Sequence, residues 1–177
     1  MKKEKNTGIG SIDTVKGGKN KNKACLLTLS ERKTREEQII KLPSATNKNV
    51  DKALTKLEKK YGQEFKNKFK SITADNGGEF LDWTKLEASR LLEGTKRTVI
   101  YFAHPYSSWE RGTNENQNRM IRRFIPKGSD ISKVTNKTIK KIETWINNYP
   151  RKILGYRSSN DLVNNLHLTS TLQSVAL

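Results

Sequence analysis

The sequence carries one cysteine, Cys25, in 177 residues. A lone thiol excludes an internal disulfide framework and any zinc site built from several thiolates. Aromatic residues make up only 7% and hydrophobic residues 33%, lean figures that still suffice for one core in a chain of this length. No stretch approaches the ~20 consecutive apolar residues that a membrane helix requires. The opening MKKEKNTGIG supplies positive charge with no apolar run behind it, so it does not read as a secretory signal. Acidic side chains are scarce too, 18 against 35 lysines and arginines, leaving a formal charge of +17. These shortages point to a cytoplasmic protein with a polyanionic partner, nucleic acid being the commonest. An anionic membrane is the competitor, but no strongly amphipathic basic segment of the anchoring kind is present. A lysine-rich surface serving solubility is the plain alternative.

The few acids are unevenly placed. Residues 1–70 and 111–177 are strongly basic, whereas residues 71–110 are mildly acidic. Periodicity organises the chain around that middle segment. GSIDTV reads as a short strand carrying Asp13, and the apolar run ACLLTLS (24–30) as a buried central one. Glu37–Leu42 is a third strand, ended by Pro43. Val50, Ala53, Leu54, Leu57 and Tyr61 follow helical spacing over 47–61, with Gly62 as the stop. A strand over 71–74 delivers Asp75 at its end, followed by the turn residues Asn76, Gly77 and Gly78. Phe80, Trp83, Leu86 and Leu91 suggest a helix, and the β-branched and aromatic TVIYF (98–102) a strand. After Pro105 come a loop, a helix over 113–124 and a last one over 136–148.

The order β-β-β-α-β-α-β-α-α predicts an α/β, RNase H-like fold. Its sheet would be mixed and five-stranded, with the first three strands antiparallel and helices on both faces. Residues 1–10 are expected to form a disordered basic tail, 11–166 the core and 167–177 a C-terminal tail.

Three carboxylates fall at the ends of the right elements. Asp13 lies on the first strand, Asp75 follows the fourth, and Glu115 opens the helix after the fifth. The first and fourth strands of such a sheet are neighbours, so Asp13 and Asp75 should lie side by side with Glu115 brought in by the helix. Close carboxylates repel one another, and a pair of Mg²⁺ (or Mn²⁺) ions would relieve that conflict with oxygen ligands. Two such ions suit the in-line displacement of a phosphoryl group. On the helix, Asn118, Arg119 and Arg122 share the front with Glu115, while Met120, Ile121 and Phe124 form an apolar back to bury. With Arg123, Arg111, Ser107 and Ser108 they make up the expected nucleic-acid-binding set, guanidinium being suited to phosphate. An ordinary amphipathic helix with a Glu115–Arg119 salt bridge would show the same pattern. Glu110 rivals Glu115, but it precedes Gly112 in the expected loop. Trp109 is placed to cover the site. His104, beside Pro105, is not needed as a base.

The segments ITADNGGEF (72–80), YFAHPYSSWERGTNENQN (101–118), IRRFIPKGSD (121–130) and INNYPRKILGY (146–156) resemble the insertion-sequence-thirty family of bacterial DDE transposases. With IDTVKG (12–17) and LLTLSERKTR (26–35), the resemblance runs from Ser11 to about Leu166. It implies a retroviral-integrase-like catalytic core, with the triad on Asp13, Asp75 and Glu115. The activity implied is metal-dependent cleavage of transposon-end DNA and transfer of the 3′-hydroxyl to target DNA. Double-stranded DNA would be the partner and a homo-oligomer the active assembly. The sequence departs from the family in three ways. The Asp75–Glu115 spacing is a few residues longer, with the excess around Leu81–Thr98. Arg157-Ser158-Ser159 stands where the family has a Thr-Pro helix start, a loss expected to weaken that start. The family's N-terminal helix-turn-helix region has no counterpart. These departures motivate a second reading, a catalytically silent remnant that binds DNA or full-length transposase as a regulator. A general RNase H-like nuclease, cutting without joining, is a third.

Overall fold

The computed structural model describes residues 8–18, 22–103 and 108–166, without the side chains of 108–111 and 113. In chain order the elements are β1 (Ile9–Lys16), β2 (Cys25–Glu31), β3 (Glu37–Leu42), α1 (Asn47–Tyr61), α2 (Glu64–Lys68), β4 (Ser71–Ala74), α3 (Trp83–Glu87), β5 (Val99–Phe102), α4 (Ser108–Arg122) and α5 (Asn136–Asn148). A last helix, α6, covers 159–166. The strands form one sheet in the order β3-β2-β1-β4-β5. β1, β2 and β3 pair antiparallel, while β4 and β5 run parallel to β1. This is the mixed five-stranded arrangement that the element order predicts.

Alternation along the strands divides the core between two faces. Ile12, Leu27 and Leu29 pack with Val50, Leu54 and Leu57 of α1 and with Phe65, Phe69 and Phe80. Val15, Leu26 and Ile39 point the other way, onto Ile121 of α4 and Ile139, Ile142 and Ile146 of α5. β2 is buried along its whole length because it lies between two strands and two layers of helix. Burial pushes the Cys25 thiol up to about 11, with the Glu79 charge adding to the effect, so it remains a packed thiol.

Both free edges of the sheet are occupied by side chains. On β3, the Glu37 N–H donates to Asn147 Oδ1 (2.8 Å), Asn147 Nδ2 donates to the Glu37 carbonyl (2.9 Å), and the Ile39 N–H donates to Glu143 Oε2 (2.8 Å). On β5, the Ile100 N–H donates to Glu87 Oε1 (2.9 Å). The Glu37 side chain is fully buried and receives a hydrogen bond from Ser30 Oγ. Its burial pushes the carboxyl up to about 8, against the pull of Ser30 and Arg151.

The structure differs from the sequence reading at several points. β1 begins at Ile9, taking in the last two residues of the expected tail; residues 1–7 and 167–177 lie outside the described residues. The helix expected through Leu91 ends at Glu87, because Ala88 turns extended and bridges to Lys96, leaving Leu91 and Leu92 exposed. The buried Arg97 holds that excursion. It donates to the Leu86 carbonyl (2.8 Å), Thr55 Oγ1 (3.0 Å) and Asp51 Oδ1 (2.6 Å), and pairs with Glu58 (3.4 Å). α4 starts at Ser108, not Thr113, so Glu110 is helical and no longer a loop residue. α4 also ends at Arg122, which takes Phe124 off the helical stripe; it is exposed and sits edge-on to Trp145 at 4.9 Å.

α6 opens without a proline at its first turn. Ser158 and Asp161 cap it reciprocally: Ser158 N and Oγ donate to Asp161 Oδ2 (2.8 and 2.7 Å), and Asp161 N donates to Ser158 Oγ (3.1 Å). No helix among the described residues is long and apolar enough to cross a membrane.

Candidate active site

The parallel pairing of β1 with β4 places two carboxylates next to each other. Ser11 is in register with Thr73, so Asp13 and Asp75, each two residues further on, lie at the same end of the sheet, Asp75 one residue past β4. Adjacent strands lie about 4.8 Å apart, and equal spacing gives both side chains the same direction out of the pleat. Asp13 is nearly buried. Its Oδ1 accepts from Thr14 N (2.8 Å), and Thr28 Oγ1 on the neighbouring strand donates to its backbone carbonyl (3.2 Å). Asp75 Oδ1 accepts from Gly77 N (2.9 Å), which turns the chain back immediately after β4.

α4 lies over β1 and is pinned there by amides. Asn114 Nδ2 donates to the Ile12 carbonyl (3.2 Å), Gln117 Nε2 to the Arg35 carbonyl (2.9 Å), and Asn118 Nδ2 to Asp13 Oδ2 (2.8 Å). Glu115 is solvent-exposed one helical turn before Asn118, on the flank that reaches Asp13. Asn118, expected at phosphate, therefore holds a carboxylate. Its Oδ1 is buried and has no partner among the described residues. Arg122 also differs from expectation: it donates to the Lys16 carbonyl (2.8 Å) and to those of Ile125 (3.5 Å) and Pro126 (3.4 Å), clamping the end of β1 to the end of α4. Gly18 completes that junction, since a Cβ there would come within 2.7 Å of the Gly128 carbonyl oxygen. Arg119 and Arg123 are exposed on the other flank. Ser107 and His104 lie outside the described residues, as do the side chains of Ser108, Trp109, Glu110 and Arg111. α1 packs on the sheet face opposite α4 through its apolar residues, and its lysines are exposed on its outer side.

The structure adds an acid that sequence reasoning did not single out. Glu79 Oε1 accepts from Thr14 Oγ1 (2.6 Å) and pairs with Lys16 (3.5 Å). A Cβ on Gly77 would lie 2.8 Å from Asp75 Oδ1 and 2.9 Å from Glu79 Oε2, so both carboxylates crowd the same glycine. Burial would raise the Glu79 carboxyl, but hydrogen bonds from Thr14 and its own backbone, together with Lys16, carry it below the ordinary range. The signal was present: an acid just past an Asn-Gly-Gly turn returns to the strand end that the turn leaves.

Among the described residues, no three His, Cys, Asp or Glu side chains are grouped closely enough to hold one metal ion. The donor chemistry nevertheless fits a hard divalent cation. Asp13 and Asp75 offer carboxylate oxygens from adjacent strands, and the unpartnered Asn118 Oδ1 lies on the residue that holds Asp13. Glu115 would have to turn in from solvent to join them.

No family model matches the chain. Curated relatives do. Over 151 residues it is 46% identical to the transposase for insertion sequence element IS4351 of Bacteroides fragilis, covering 85% of this chain and 42% of that protein. It is 40% identical over 155 residues to a probable transposase for insertion-like sequence element IS1161 of Streptococcus salivarius, covering 88% and 41%. The Escherichia coli transposase for IS30A is 34% identical over 153 residues, covering 85% and 36%. The chain thus spans about two-fifths of the length of these relatives. Among solved structures, the catalytic core domain of BIV integrase aligns with a TM-score of 0.62 at 14% identity, covering 93% of this chain and 99% of that one. The fold is therefore that of an integrase catalytic core.

Proposed function

We propose that this relative of the insertion-sequence transposases works as a transposase catalytic core, cleaving a phosphodiester at a transposon end and joining the exposed 3′-hydroxyl to target DNA. The observation that carries the reading is the parallel pairing of β1, which carries Asp13, with β4, which Asp75 directly follows, together with Asn118 of the overlying helix hydrogen-bonded to Asp13. Asp13, Asp75 and Glu115 would hold Mg²⁺ or Mn²⁺, which when bound supplies Lewis acidity at the phosphate and acidifies the attacking hydroxyl group. The protein's share is placement. Thr14 N and Asn118 fix both oxygens of Asp13, Gly77 N fixes Asp75, and Glu79 keeps a third carboxylate beside them. Those charges favour a cation and disfavour an unneutralised phosphate, so phosphate would enter only with the ion. The basic surface would hold the DNA through sequence-independent contacts.

The test is strand joining between a pre-cleaved oligonucleotide, taken from the DNA flanking the coding sequence, and a plasmid in Mg²⁺ or Mn²⁺. Joined product is expected from the wild-type chain and none in EDTA. Asp75→Asn and Glu115→Gln should each lower joining by on the order of 10²–10³-fold, while DNA binding stays within a few-fold. Product undiminished in Asp75→Asn, or formed in EDTA, would overturn the reading. A folded wild-type chain that binds DNA without joining or cutting it would favour the silent regulator.

A further inference from the structure

Behind α4, on the flank turned away from Asp13, is a pocket of about 440 Å³ whose charged lining is all of one kind. Arg35, Arg119, Arg123 and Arg151 line it, with Asn116, Gln117 and Met120, and no carboxylate is among its described lining residues. The four guanidiniums come from three separate places: the β2–β3 turn, α4, and the segment after α5. We infer that this pocket is a second phosphate site, which takes a backbone phosphate of the DNA whose scissile bond lies across α4 at the carboxylates. The inference rests on the proposed function for the identity of the DNA, and on the pocket alone for the phosphate.

Three observations carry it. Arg35 has a left-handed backbone, φ 61°, a conformation that favours glycine and is costly for a long side chain. The turn holds it there, since Arg35 N donates to the Glu31 carbonyl (2.8 Å) and Gln117 of α4 donates to the Arg35 carbonyl (2.9 Å). The same turn brings Arg35 to the lining of the pocket beside α4. Second, Arg151 spends one amine on the Ile146 carbonyl (3.1 Å), while its Nε is buried with no hydrogen-bond partner among the described residues. A buried guanidinium N–H without an acceptor is costly, and an anion in the pocket would supply one. Third, the acid that faces Arg151 is the buried Glu37, whose raised pKa leaves it largely protonated near neutrality, so it offers Arg151 little countercharge, while Glu31 acts on Arg35. Planar forks are suited to a phosphate's oxygens, and the width of one helix, about 10–12 Å with side chains, separates the two flanks of α4.

The experiment measures binding of a fluorescent DNA duplex in EDTA across a salt series, where no joining occurs. Arg35→Gly keeps a residue at ease with that backbone, so it removes the guanidinium without loosening the turn. Arg151→Gln is the second variant, and Lys85→Gln, exposed on α3, repeats the charge loss outside the pocket. Each pocket variant should weaken binding about tenfold, equally on unrelated sequences, and lower the slope of log affinity against log salt by about one. The double variant should lose little more, because both groups serve one phosphate. Slopes indistinguishable from that of Lys85→Gln would overturn the proposal. So would a pocket that inorganic phosphate protects against heating in the wild type but not in Arg151→Gln, while DNA slopes stay unchanged, since the site would then serve a free anion. Joining that persists with unchanged slopes would sink the pocket alone; altered slopes without joining would sink the catalytic reading alone.

Discussion

At the scale of single residues, the candidate site is governed by groups that orient carboxylates. Asn118 donates to Asp13 Oδ2, leaving one rotamer of that carboxylate favoured. Asn118→Ala should therefore lower joining by about 10- to 100-fold, the usual cost of removing a partner that orients a metal ligand, with DNA affinity little changed. Joining rates and duplex binding, measured on the same preparation, check it. Gly77 is the second case. Its Cβ position is already crowded by Asp75 Oδ1 and Glu79 Oε2, both ends of movable side chains. Gly77→Ala should cost less than about 1 kcal/mol in urea unfolding yet displace both carboxylates, cutting joining on the order of a hundredfold. A variant that joins normally would show that neither carboxylate needs its present position.

At the scale of elements, what was legible depended on how local its cause was. The limits of β3, α1, β4 and α5 follow from alternation, helical spacing and stops such as Pro43 and Gly62, all contained within the segment itself. That β1 and β4 are neighbours was legible one step further, through the element order. Glu79 was legible only as an acid returning past its turn, its Thr14 contact lying 65 residues away, and the Arg35–Arg151 pocket was not legible, because its parts lie far apart in the chain. The 81–98 excursion failed for the same reason: its apolar spacing is helical, but Arg97 requires oxygens from α1 and from the Leu86 carbonyl, and that demand ends α3 early. Arg97→Ala would leave Asp51 and Glu58 facing each other without their buried cation. A loss of about 3–5 kcal/mol is expected, read as a lower Tm and early exposure of the excursion to protease. At the opposite end, Ser158→Ala should cost about 1 kcal/mol by removing the cap of α6.

At the scale of the whole molecule, the buried Glu37 links stability to pH. Its carboxyl stays protonated in the native state up to about 8, whereas in the unfolded chain it ionises in the ordinary range. Between those values the native state holds the extra proton, so this contribution to stability is full in mild acid, falls as pH rises towards 8, and is flat above. Urea unfolding across that window should show the decline, and Glu37→Gln should flatten it.

The Asn147, Glu143 and Glu87 contacts at the two outer strands bear on how such chains can associate. A sheet grows by offering a row of unanswered amides to a newcomer, and here amides of both outer strands are already answered from within. Another polypeptide could not lengthen this sheet at Ile39 or Ile100 without first prising a carboxylate from its amide. Assembly is thereby steered towards side-chain surfaces, and cross-β aggregation is discouraged.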